Sequence, residues 1–276
     1  MTSPPLACTV RDCGLLLERQ GRTWQCARRH SYDIARAGYI NLLQPQDRRS
    51  LAAGDRREAI GARARLLSRG VGTAIVREFI NRAARLVTAG AVVADLGSGS
   101  GEGLAALAER NAIVGVGIDL STEATAHAAR RFPNLTWVVA NVDRHVPLLD
   151  RSVDLVLSLH GRRHPADCAR VLTRDGHLVV AVPAADDLIE LRTVMFGRRL
   201  ARERSGGVAA EHDAMFTVAD RFTLTEHHRL ERDQLRDLLR GTYRGERHAT
   251  ADRIESIDTL EVTLASDVLL FTRKTK

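Results

Sequence analysis

An apolar run that ends in an acid, followed by glycines at every second position, constrains this chain more than any other feature. It reads Val92-Val93-Ala94-Asp95-Leu96-Gly97-Ser98-Gly99-Ser100-Gly101. The apolar part suits a buried parallel strand. The glycines let the backbone pass close to a ligand and turn sharply into a helix. A second strand, Ile113 to Ile118, ends at Asp119, and a carboxylate there suits the two hydroxyls of a ribose. Such a pair of strand ends binds the adenosine and the charged tail of a small cofactor. The glycines run G-x-G-x-G, so the nicotinamide fingerprint G-x-G-x-x-G is not met.

From Ala91 onward strand and helix alternate. Periodicity places strands at 91–95, 113–118, 135–139, 153–158 and 176–182, and helices at 102–110, 122–131, 164–172 and 186–196. This rhythm predicts an α/β fold, with a mostly parallel sheet covered on both faces. A strand at 222–229, a helix at 231–240 and a last strand from Leu260 to Thr272 would complete seven strands with an antiparallel edge. Residues 197–220 lack clean periodicity and read as a mobile loop over the site. The expected division is a small module at 1–45, a linker with helices at 46–90, and a catalytic domain at 91–276. In the middle part Asp55 is an N-cap candidate, and helices at 56–69 and 73–88 follow. Arg56, Arg57, Arg63, Arg65 and Arg69 recur along the first, as a solvated face or as a phosphate-facing one.

Three of the four cysteines fall within the first 26 residues. In a chain with no evident signal peptide such a cluster reads as metal ligation sooner than as disulfides. The spacing Cys8-x4-Cys13-x12-Cys26-x3-His30 can surround one tetrahedral Zn²⁺ with three sulfurs and one nitrogen. A hairpin with a turn at Gln20-Gly21 joins the two pairs, and so small a module depends on its metal to fold. Cys168 stands apart as a small buried apolar residue.

The formal charge is +7 and the pI about 9.9. A basic surface favours polyanions, RNA above all, through counterion release. No apolar run reaches the length of a membrane span, so the expected location is cytoplasmic and no membrane partner is expected.

The order of these parts resembles one family. After the zinc module comes Tyr32-Asp33-Ile34-Ala35-Arg36-Ala37-Gly38-Tyr39-Ile40-Asn41-Leu42-Leu43. Gly54-Asp55 and an Ala62-Arg63 helix follow, then the Asp95 site and the Asp187-Leu188-Ile189-Glu190-Leu191 helix. This is similar to the RlmA/TlrB group of 23S ribosomal RNA guanine-N1 methyltransferases, housekeeping and antibiotic-resistance enzymes alike. The resemblance implies a Rossmann-like class I methyltransferase fold, S-adenosylmethionine and Zn²⁺ as cofactors, and 23S rRNA as partner; a homodimer is left open. By position, Cys8, Cys13, Cys26 and His30 would hold zinc. Asp95, Gly97, Ser98, Gly99 and Gly101 would line the methionine part of the cofactor, Asp119 and Leu120 the ribose and adenine, and Asn141 and Val142 the adenine. Three segments are expected around the target base, and all three depart from the family pattern: Gly70-Val71-Gly72, Ser158 to Arg163, and Gly241 to Arg244.

Methyl transfer from a sulfonium is an in-line displacement that needs alignment and exclusion of water. His160, just past a strand end at the crevice, is the first candidate to touch the base. Arg162 and Arg163 are candidates for O6 or phosphate, and His160 and Arg163 make up the expected catalytic pair. Trp24, Tyr32, Tyr39 and Tyr243 either pack locally or stack on RNA bases. Two rivals remain: a small-molecule methyltransferase, which would need neither the zinc module nor the charge, and a non-catalytic RNA-binding protein, which would not need an intact cofactor motif.

Overall fold

The computed structural model describes residues 3–47, 57–199, 201–242 and 256–274. Arg48, Arg49, Gly54, Asp55 and Arg56 of the expected linker, together with Tyr243, Arg244 and most of the irregular stretch after Gly241, lie outside the described residues.

The N-terminal module is a small antiparallel sheet of β1 (Leu17–Gln20), β2 (Thr23–Cys26) and β3 (Ser31–Asp33). The hairpin turns at Gly21 and Arg22, with Gln20 facing Thr23, and Gly21 takes φ +64° as a two-residue turn demands. Then β4 (Ile40–Asn41) leaves the module and pairs in parallel with β7 (Thr136–Val139) of the main sheet. That sheet therefore has eight strands where seven were expected.

Its order is β10-β11-β9-β8-β5-β6-β7-β4. The central members are β5 (Val92–Leu96), β6 (Val114–Asp119), β8 (Val153–Leu159) and β9 (Leu172–Pro183). They run parallel, and their central stretches are apolar because both faces are covered there; near its start β9 carries the polar stretch Thr173 to His177. The edge is a long hairpin of β10 (Phe216–Glu231) and β11 (Thr259–Arg273), with β11 antiparallel to β9. Charged residues on exposed β10 guard the free edge.

One face is covered by α2 (Thr73–Ala84), α3 (Glu102–Ala108) and α4 (Thr122–Arg131), which meet the sheet through Phe79, Ile80, Leu104, Ala128 and Trp137. On the other face lie the zinc module, α5 (Pro165–Val171) and α7 (Ser205–His212). Leu6, Leu17, Trp24, Ile40 and Leu42 of the module belong to the same core as Ile118, Val138 and Val146. A third cluster joins α1 (Arg57–Ser68), α6 (Ile189–Phe196) and α8 (Arg232–Thr242) over the ends of the hairpin.

Three expectations are corrected. Segment 197–220 is not a loop throughout, because it holds α7 and the start of β10. The helix expected to 88 stops at Ala84, where Arg85 and Leu86 turn back on the last carbonyls. The helix expected from 186 begins at Ile189, because Leu188 takes φ +54° and Ala184 pairs with Ala265 instead.

Candidate active site and zinc centre

Cys8, Cys13, Cys26 and His30 converge, their ligand atoms all within 4.8 Å of one another. Cys13 Sγ and Cys26 Sγ are 3.8 Å apart, and His30 Nδ1 is 3.4 Å from Cys8 Sγ and 3.6 Å from Cys26 Sγ. Tetrahedral ligation with Zn–S near 2.3 Å and Zn–N near 2.0 Å puts sulfurs about 3.8 Å apart and sulfur and nitrogen about 3.5 Å apart. The four residues therefore fit zinc and leave little room for a larger ion. Tyr32 closes the site: its hydroxyl lies 3.3 Å from Cys8 Sγ and accepts the Thr9 amide at 3.2 Å. Trp24 is buried and Tyr39 packs against the sheet. These three aromatics are spent on packing rather than offered as platforms for bases.

The crevice opens where β6 and β8 diverge from β5, the switch point of an open α/β sheet. Gly97, Gly99 and Gly101 take φ of +74°, +54° and +88°. The last cannot be replaced freely, because a Cβ on Gly101 would lie 2.4 Å from the buried Trp137 ring. Asp95 is the last residue but one of β5, beneath the turn, and Asp119 ends β6 beside it. Burial, and then repulsion from Asp119, push the Asp95 carboxyl up to about 7. Asp119 accepts the Gly99 amide at 2.9 Å and the Ser121 amide at 2.7 Å, which fixes its carboxylate toward the turn. Ser98 Oγ is buried and has no hydrogen-bond partner among the described residues. Two facing acids and an orphaned hydroxyl suit a ligand that carries both a cation and polar acceptors. Leu120 lines the same strand end. Asn141 and Val142 follow β7, with Asn141 Oδ1 accepting the Asp143 amide at 3.1 Å.

The opposite wall is the segment after β8. Gly161 lies so close to the turn that a Cβ on it would stand 2.2 Å from the Leu96 carbonyl oxygen. His160 takes φ +55°, and its Nε2 lies 2.9 Å from Ser266 Oγ on β11. It is open to solvent yet walled by protein. That burial, with Arg204 and Arg63 nearby, pushes its pKa down to about 4, so the ring is neutral at pH 7. Arg163 turns toward α5 and α7, near Cys168 and Glu211, with Nη1 donating to the Gly161 carbonyl at 3.4 Å and Nε buried without a partner among the described residues. Arg162 points out and pairs with Asp143 at 2.7 Å.

Comparison with known proteins then decides the family. Residues 7–51 match the family described as "RlmA, N-terminal", a zinc ribbon, and residues 93–176 match a methyltransferase domain. The 23S rRNA (guanine(748)-N(1))-methyltransferase of Streptomyces fradiae is 32% identical over 226 residues, covering 81% of this chain and 80% of that one. The chain belongs to the RlmA family of rRNA guanine-N1 methyltransferases. YxjB of Bacillus subtilis, whose assignment to the same activity is provisional, is 33% identical and covers 69% of each chain. Among solved structures, YcgJ of Bacillus subtilis superposes with a TM-score of 0.51 over 72% of this chain and all of its own, at 15% identity, which speaks for the fold alone. As an RlmA-family member the chain carries an S-adenosylmethionine-dependent methyltransferase domain and a zinc ribbon with a Cys3His cluster. Among the described residues no helix is long and apolar enough to cross a membrane.

Several residues of this RlmA-family crevice were not singled out from sequence. Ser266 and Arg204 come from β11 and from the approach to α7; Asp187, quoted from sequence only within the segment Asp187 to Leu191, comes from the turn after β9, and no short motif links the three. Arg63, read only as part of a basic helix, faces His160, whereas Arg65 on the same helix pairs with Asp237 of α8 at 2.6 and 2.8 Å and clasps the two helices. Cys168 is fully buried, and Asp154 accepts the Val92 amide at 2.8 Å; both are structural.

Proposed function

We propose that this chain transfers a methyl group from S-adenosylmethionine to N1 of a guanine in 23S ribosomal RNA, in the cytoplasm where ribosomes are made. The observation that carries this reading is the match to a relative named for that activity across four fifths of both chains, beside the matches of residues 7–51 and 93–176 to the zinc-ribbon and methyltransferase families. S-adenosylmethionine, when bound, supplies an electrophilic methyl group on a sulfonium. Asp95 would take the cofactor's ammonium, whose charge favours the ionised carboxylate over its raised resting state. Ser98, Gly97, Gly99 and Gly101 would line the methionine tail. Asp119 would grip the ribose and, with Leu120, Asn141 and Val142, frame the adenine.

His160 and Arg163 would meet the target base on the far wall. A neutral His160, held by Ser266, can share a hydrogen bond with a purine edge without repelling the incoming sulfonium. The buried Nε of Arg163 is a donor in search of an acceptor. A base within an RNA stem must leave its stack to enter this crevice. The zinc ribbon would hold the surrounding RNA by its phosphates through the exposed Arg28, Arg29 and Arg36.

Nucleoside mapping of 23S rRNA from cells with and without the gene tests the reading. One N1-methylguanosine present only with the gene is expected, and identical rRNA in the two strains would refute it. The same strains, plated on ribosome-targeting antibiotics, test the extension to resistance: greater tolerance with the gene is expected.

A further inference from the structure

Guanine N1 carries a proton at neutral pH, and no group named so far takes it. His160 is a poor acceptor, because the surrounding protein disfavours its charged form and a third positive charge beside Arg204 and Arg63 is disfavoured too. Next to Ser266 lies a small cavity lined by Pro183, Ala184, Asp187, Arg192, Arg202 and Arg204. Shared neighbours tie it to His160: Ser266, which His160 contacts, faces Pro183, Arg204 both lines the cavity and lies near His160, and the adjacent Ala265 donates its amide to Asp187 Oδ1 at 3.0 Å. The other oxygen of Asp187 has no hydrogen-bond partner among the described residues. The neighbouring cation Arg192 is committed elsewhere, donating to the carbonyls of Ala185, at 2.8 Å, and Asp187. Burial lifts the Asp187 carboxyl to about 6; Arg192 and Arg204 oppose the rise and Glu190 adds to it. Arg202 is the remaining charge on the cavity wall, and the facing β11 residues Ala265 and Ser266 carry none. Asp187 is thus ionised at neutral pH, yet more basic than an ordinary aspartate.

We propose that Asp187 is the catalytic base of this site, its free oxygen taking the N1 proton while Arg202 and Arg204 meet the charge growing on O6. N1 gives its proton to Asp187 and its electron pair to the methyl carbon of the sulfonium donor, whose carbon–sulfur pair stays with sulfur. Asp187 then returns its proton to water. This rests on the guanine-N1 reading above.

The test is single-turnover methylation of protein-free 23S rRNA by the zinc-loaded wild type and Asp187→Asn, from acid to alkaline pH, with the product mapped. Cofactor affinity by calorimetry and RNA affinity are measured alongside. Wild-type rate is expected to rise to a plateau with a midpoint near 6. Asp187→Asn is expected to keep its fold and both affinities but to lose roughly 10²–10⁴-fold in rate at neutral pH. Its rate then recovers toward alkaline pH, where guanine N1 ionises unaided. An unchanged rate, a loss equal at every pH, or a loss of cofactor affinity would each overturn Asp187 as base while leaving the reading intact. A wild-type product methylated elsewhere than guanine N1 would overturn the reading, and the proposal with it.

Discussion

At one end of the crevice, a single strand, its glycine turn and one acid on the neighbouring strand make a pocket from residues close in sequence. At the other end, His160, Ser266, Asp187, Arg63 and Arg204 arrive from five separate segments. The first end recognises a cofactor of fixed chemistry, so a short stretch of backbone suffices. The second must fit one base in one RNA, and its donors are held by tertiary packing alone. Substitutions should therefore act differently at the two ends: at the first on fold and cofactor affinity, at the second on turnover.

The largest effect is expected outside both ends. Cys26→Ser should take bound metal from about one Zn²⁺ per chain to none and unfold the ribbon, because such modules fold on their metal. Since β4 pairs with β7, next to Asn141, this loss should also weaken the cofactor end. Metal analysis and thermal melting check both, and metal-free protein with an unchanged melt would break the link.

Next comes Gly101→Ala. The residue has φ +88°, and its new Cβ would meet Trp137 at 2.4 Å. Overpacking and a left-handed alanine together should cost about 2–5 kcal/mol, read by denaturant titration. Asp119→Ala should weaken cofactor binding roughly 10–100-fold, the worth of hydrogen bonds to a charged group, while RNA affinity stays as it is. A fall in RNA affinity instead would merge the two ends.

The smallest effect at neutral pH concerns protonation. With Asp95 at about 7 in the free protein, its proposed pairing with the cofactor's ammonium would expel a proton on binding below that value. Cofactor affinity should therefore be flat above pH 7 and fall as pH drops below it, approaching tenfold per unit. Calorimetry across pH reads this, and Asp95→Asn should abolish the dependence.

How much was legible beforehand follows the same divide. The Asp95 turn, Asp119 and the Cys3His set could be read because each is written in local spacing. The central strands could be read because a doubly covered sheet demands continuous apolar runs. Helix α7 could not. Its Ser-Gly-Gly start is a poor helix former with no apolar stripe. It stands because Ser205 donates to Asp267 at 2.7 Å, Glu203 receives the Gly206 amide at 2.7 Å, and buried His212 stacks on Phe271. The two-residue β4 is too short for any periodicity, and the partner of Arg65 lies 172 residues away.

By this reading the crevice delivers a methyl group to guanine N1 of 23S rRNA. The most direct measurement is incubation of the purified, zinc-loaded protein with isotope-labelled S-adenosylmethionine and protein-free 23S or 16S rRNA, followed by digestion and mass spectrometry. Label is predicted in N1-methylguanosine from 23S rRNA alone. No label in either RNA, or label on another atom or in 16S rRNA, would contradict the account.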